Sequence, residues 1–252
     1  MSIFAVLLIA VGTGDLARSM LPRGRYDLGA SASISILTGV AMVWLAAGLA
    51  GLVTGAAGWL LTALATVSVV AWVGTAERSL SRGRGHVAPL LVLAGGLAAQ
   101  LALSGWAPPV HGPLAHWLDW AHLPWSPQPD RTLLLAGLAL VQLSTGNLVV
   151  RLVLISTGAM QAAPTLDEPS GGLKGGRLLG PLERLFILGL GLAGQVTSAG
   201  LVIAAKGLIR WPELNSHSRD VARGHIDKVT EYFLVGSFVS WLVALSALAL
   251  AA

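Results

Sequence analysis

The sequence predicts an all-α fold, a polytopic transmembrane helix bundle of about seven spans, or six if the first or sixth does not cross. Three observations lead there. Hydrophobic residues make up 54% of the 252 and charged residues only 11%, with 31 glycines besides. Mean hydropathy is +0.73, whereas a soluble domain carries roughly 25% charge. The charges are also segregated. Seven segments, about 131 residues in all, hold none of them, and the remaining 121 or so are about 23% charged. Finally, six of the seven segments are about 19–21 residues long, enough to cross a hydrocarbon core of ~30 Å as helices. Lipid offers no partner to open backbone groups, so helices are required. An ordinary soluble domain, a disordered chain and a disulfide scaffold are excluded. With no cysteine, so are thiolate chemistry and cysteine metal sites. The net charge of +4 and pI near 10.1 fit topology signals and anionic lipid, not nucleic acid.

The uncharged segments run 3–14, 32–51, 57–76, 88–107, 132–150, 185–205 and 233–251. The first has no positive region before it and no small-residue cleavage pattern, so it reads as a retained helix. To span, it must continue through Gly14, Asp15 and Leu16 towards Arg18. Segments two and three are joined by an uncharged turn flanked by Gly51 and Gly55, which predicts a tight antiparallel hairpin. Arg18, Arg23 and Arg25, then Arg78, Arg82 and Arg84, then Arg151, Lys174, Arg177 and Arg184 mark loops one, three and five as cytoplasmic. The N-terminus then faces out and the seventh segment ends inside.

Loop six, with Lys206, Arg210, Arg219, Arg223 and Lys228, breaks the pattern if segment six crosses once. Two readings stand. The 21 residues of 185–205 make one good helix and two poor half-helices, which favours a single span. A bent or re-entrant hairpin around Gly194-Gln195-Val196-Thr197 would instead put both flanking loops in the cytoplasm. Residues 161–180 are rich in Gly and Pro. They divide a five-helix part (1–160) from a two-helix part (181–252).

Small residues stripe segment six (Gly189, Ala193, Thr197, Gly200, Ala204) and segment seven (Gly236, Ser240, Ala244, Ala247). Such faces let helices approach closely. They serve packing within the bundle or a seam to a second copy or a partner membrane protein. Segment five carries Ser144, Asn147 and Arg151 at i, i+3 and i+7, segment four Gln100 and Ser104, and segment six Gln195. These read either as interhelical hydrogen bonds or, with Asp15, as a polar path through the bundle. Asp15 is either a carboxylate in that path or an i, i+3 ion-pair partner of Arg18.

Loop four holds His116, Asp119 and His122. Residues six apart on a helix point to nearly opposite sides, so no metal is assigned. Trp106, Trp117, Trp120 and Trp125 fit an aromatic belt at the outer headgroups. Loop five, Gly171 to Arg184, combines glycines with Lys174 and Arg177 before Pro181. It lacks the Gly-Lys-Ser/Thr ending of a phosphate loop, and an anionic lipid headgroup is the ligand it would suit. No catalytic set and no cofactor site is recognised.

The C-terminal third carries Gly180-Pro181-Leu182-Glu183-Arg184, then Lys206, Arg210 and Glu213, then Glu231-Tyr232-Phe233-Leu234-Val235-Gly236. This resembles the C-terminal region of an uncharacterised bacterial multi-pass membrane family with Gly-x-x-Glu-Arg, Lys-x-x-x-Arg-x-x-Glu and Glu-Tyr-Phe-Leu-x-Gly motifs. The resemblance implies a bacterial inner membrane and supplies no activity. The sequence thus points first to a non-enzymatic membrane component that binds lipid or a partner protein. Lys174, Arg177, Arg184, Lys206 and Arg210 are its candidate lipid or anion contacts, and Glu183, Glu213 and Glu231 its ion-pair partners. A passive or carrier-type transporter is the second reading. A lipid-modifying enzyme using loop five is the third.

Overall fold

The computed structural model describes residues 1–21, 28–122, 128–160, 176–205, 208 and 224–251. Among these the chain is helical: α1 (Ser2–Met20), α2 (Leu28–Leu49), α3 (Gly55–Arg82), α4 (Val87–Ala102), a 3-10 turn (Ser104–Trp106), α5 (Pro113–Ala121), α6 (Pro129–Leu143), α7 (Thr145–Ser156), α8 (Gly176–Leu192), α9 (Val196–Ala205) and α10 (Gly224–Ala251). Four helices, Ser2–Met20, Gly29–Leu49, Gly55–Arg82 and Glu231–Ala251, are long and apolar enough to cross a membrane, and α6 with α7 makes a fifth if counted as one broken span. The expected first span does run through Asp15, and the α2–α3 hairpin turns on left-handed Gly51 and Gly55 (φ 69° and 62°).

Three apolar segments are shorter or more broken than their composition implies. Segment four stops at Ala102 and gives way to the 3-10 turn, ahead of Pro108 and Pro109, which cannot continue a helix. Segment five breaks at Ser144, whose φ of −129° and ψ of −51° leave the helical region. Segment six breaks at Gly194. There the Gln195 N–H donates to the Leu190 carbonyl (2.8 Å) and the Gly194 N–H to that of Gly191 (3.0 Å), with Gly194 at φ 74°. That pair of bonds around a left-handed glycine is a Schellman stop.

The chain forms two compact units, Met1–Thr145 and Gly146–Ala252. In the first, α1 is the central element. It contacts α2, α3, α4 and α6, and every residue from Ile3 to Val11 is 8% exposed or less. A helix apolar all round belongs in a core. Glycines set the approach. A Cβ on Gly12 would lie 2.8 Å from that of Leu140, and one on Gly137 would lie 2.8 Å from that of Leu8. Contacts of Gly14 with Ser35 and Gly39 with Ala10 run α2 antiparallel to α1. Those at Asp15–Trp72 and Arg18–Glu77 run α3 parallel to it. Leu37, Leu45, Leu60 and Val67 are exposed on α2 and α3, as lipid-facing positions require.

The ends of this unit differ. At one, the Ala50 carbonyl accepts the His111 and Gly112 N–H groups (3.2 and 3.4 Å), and Ser2 Oγ donates to the Pro108 carbonyl (3.2 Å). The Val110 N–H donates to Asp130 Oδ2 (3.4 Å). Exposed Trp44, Trp59, Trp106, Trp117 and Trp120 gather there, the first two with ring centroids 5.5 Å apart. At the other end stand Arg18, Glu77, Arg78, Arg82 and Arg84.

In the second unit α8 packs along α10 in parallel register. Contacts pair Glu183 with Trp241, Arg184 with Ser240, and Gly191 with Leu248. Ile187, Ala199 and Ala244 share one core, with Leu190, Ile203 and Trp241 against it. On a straight helix Ile187 and Ala199 would be about 18 Å apart, so α9 folds back from α8. Helix α7 runs the other way to α10: Gly236 faces Val150 and Leu154, while Asn147 reaches Arg184 beside Ser240.

Candidate functional site

Each unit holds one buried polar cluster. The first surrounds Asp15, 4% exposed and about 20 Å along α1 from Ser2. Trp72 Nε1 of α3 donates to its Oδ2 (3.1 Å) and, more loosely, to Oδ1 (3.4 Å). Thr145 Oγ1 donates to Oδ2 (2.7 Å), and Ser144 Oγ to the Asp15 carbonyl (2.9 Å). All three donors are buried. A buried carboxylate is costly without such donors. One turn on, Arg18 Nη2 donates to Glu77 Oε2 at 2.7 Å. The Asp15–Arg18 ion pair that the spacing suggested is thus replaced by two separate arrangements. Trp72, Thr145 and Glu77 escaped the sequence reading. A tryptophan in an apolar run reads as core or belt, and only its pairing with Asp15 reveals its N–H as a donor.

The helix break at Ser144 belongs to this cluster. It turns two successive hydroxyls onto Asp15, where a continuous helix would aim them about 100° apart. Segment five therefore does not present Ser144, Asn147 and Arg151 on one face. Ser144 joins Asp15 in the first unit, Asn147 belongs to the second, and Arg151 is half-buried on α7.

The second cluster centres on Arg184, 1% exposed, and Glu183, 6% exposed. Arg184 Nη1 donates to Ser240 Oγ (3.0 Å) and Nη2 to Asn147 Oδ1 (2.7 Å). Trp241 Nε1 donates to Glu183 Oε1 (2.8 Å). Room for the guanidinium comes from Gly146, where a Cβ would lie 2.8 Å from Arg184 Nε; at Gly180 a Cβ would meet Asn147 Oδ1 at 3.4 Å, an ordinary contact. Ser240 and Trp241 sit midway along the apolar stretch Glu231–Ala251, so the charged pair lies level with the middle of that stretch. The small-residue face of α10 is used here, with Ser240, Ala244 and Ala247 all buried. That of segment six is split by the break at Gly194, and its five members are exposed.

Other candidates lie apart from both clusters. Gln195 is exposed in the α8–α9 turn, and Glu231 is exposed on α10. Lys174, Lys206, Arg210 and Glu213 lie outside the described residues, as does the side chain of Arg177. The pairing of Glu231 with Lys206 or Arg210 falls there too. Buried Gln100 donates to the Leu61 carbonyl (3.0 Å), an α4–α3 bond, and Ser104 to that of Leu101 (2.7 Å). Ser79 Oγ and His86 Nδ1, 2.7 Å apart, close the turn between α3 and α4. Among the described residues no three His, Asp or Glu side chains form a group that could hold a metal ion. Comparison with protein-family models, curated proteins and solved structures finds no match for this chain.

Proposed function

We propose that this chain is a non-enzymatic, multi-span component of a membrane. Its buried polar clusters hold its helices together, and its outer surface and basic segments take up lipid. The carrying observation is the centre of the first unit. Among the described residues its axis is filled by α1, and the one acidic side chain there accepts bonds from the chain's own Trp72 and Thr145. Exposed apolar side chains on α2 and α3, and five exposed tryptophans at one end, support contact with acyl chains and headgroups. The family resemblance of the C-terminal third, a bacterial inner membrane and seven apolar segments within the membrane belong to this proposal. So do lipid contacts at Lys174, Arg177, Lys206 and Arg210. Arg184 is better read as a helix clamp, since it donates to Ser240 and Asn147.

Native mass spectrometry of the protein from mild detergent tests this. The account expects retained anionic phospholipid, reduced at least about threefold when Lys174, Arg177, Lys206 and Arg210 are all changed to Gln. Equal retention in that variant would remove the basic segments from lipid binding. A transporter is the second reading. It is favoured by Asp15 and the Glu183–Arg184 pair, since ionisable groups inside a bilayer often mark solute or proton paths.

A further inference from the structure

The sequence leaves a conflict at segment six, and the second unit resolves it. A single crossing would put the cations before α8 and those after α9 on opposite faces. It would also run α8 and α10 antiparallel. The contacts say otherwise. From Glu183–Trp241 and Arg184–Ser240 to Gly191–Leu248, both partners advance together, so α8 and α10 point the same way. By that register the start of α8 lies level with the start of the apolar stretch of α10. The Gly194 turn lies level with its carboxyl end. Helix α9 then folds back: Ala199 meets the Ile187–Ala244 core, and Ile203, four residues later, still packs against it, and its ten residues, Val196–Ala205, cover about 15 Å of the return. Helix α7, antiparallel to α10, delivers the chain to the same end from which α8 leaves.

We infer that α8 and α9 form a transmembrane hairpin. The segment before α8 and the segment after α9 share one face of the membrane, and the Gly194–Gln195 turn and the C-terminus share the other. Six cations (Lys174, Arg177, Arg210, Arg219, Arg223 and Lys228) then lie on the first face, while the turn and the last residues of α10 carry none. The positive-inside rule makes the first face cytoplasmic, and the seventh apolar segment ends outside, not inside. The turn fits this place. Ala193 to Thr197 are exposed, and irregular backbone is tolerated at the headgroups and not among acyl chains. Glu183 and Arg184 interrupt the apolar course of α8, yet both are answered by partners on α7 and α10. At 17 residues it is about 25 Å long, close to the hydrocarbon thickness.

This inference rests on the chain spanning a membrane, and the absence of cysteine makes the test direct. Four full-length variants, S170C, Q195C, S216C and A252C, are labelled with a membrane-impermeant maleimide in intact cells and after permeabilisation. Each must first remain in the membrane after carbonate washing. Q195C and A252C are expected to label fully in intact cells, and S170C and S216C only after permeabilisation. Labelling of S170C and S216C from opposite sides would overturn the hairpin, as would A252C labelling on the same side as S216C. Release of the wild-type protein by carbonate would instead overturn the spanning reading itself, a result separate from any failure of sidedness.

Discussion

Asp15 places a carboxyl group where water is scarce, and its oxygens accept from two donors in distant parts of the chain, Trp72 and Thr145. Interhelical hydrogen bonds in membranes average about 0.6 kcal/mol, and bonds to charged groups reach about 1.5–3 kcal/mol in soluble proteins. W72F removes the N–H while keeping most of the ring, so a loss of about 1–2 kcal/mol is expected in reversible unfolding from mixed micelles. A loss below about 0.3 kcal/mol would mean that the carboxylate does not depend on Trp72. At Arg184 the expectation is non-additive. R184M alone strands the Glu183 charge and should cost about 3–5 kcal/mol, whereas E183Q/R184M removes both charges and should recover part of that loss. A double variant less stable than R184M would contradict the pairing. Asp15 was legible as a candidate because the first apolar run, 3–14, is too short to span unless the helix continues through it. Its partners were not, since Thr145 lies 130 residues away in sequence and nothing local singles it out.

At the scale of elements, glycine positions decide how closely helices meet. Gly12 and Gly137 sit where α1 and α6 touch, and a Cβ on either would come within 2.8 Å of a neighbour's Cβ. G137V and G12V should therefore each cost about 1–3 kcal/mol from overpacking. Gly48, in α2 with nothing within 4 Å of an added Cβ, provides the control. G48A should be neutral or stabilising by up to about 1 kcal/mol through helix propensity, measured by the same unfolding assay. The extension of α1 through Asp15 could be read from its length, because 12 apolar residues are too few to span. The α2–α3 hairpin could be read from its two glycines. The break at Ser144 could not. The run 132–150 is uninterrupted and uncharged, and the bonds that accompany its bend, from Ser144 and Thr145 to Asp15, reach far along the chain. The stop at Gly194 was visible as one of two readings. The start of α8 before the apolar run was hidden, because two charged residues look like a loop until Trp241, Ser240 and Asn147 answer them.

For the whole molecule, the issue is whether buried polarity holds helices together or lines a path. Composition separates apolar segments from ordinary loops, and the fold adds that the buried Asp15, Glu183 and Arg184 are bonded to side chains of the chain itself. Filling the middle of the first unit with α1 leaves the axis to side chains, as a helix-holding role requires. The most direct measurement is flux in proteoliposomes, following collapse of an imposed pH gradient and release of a trapped small solute by the purified wild-type protein. The account predicts rates equal to those of protein-free liposomes for both. A wild-type flux that D15N abolishes, while its unfolding profile stays unchanged, would contradict it and establish Asp15 as part of a transport path.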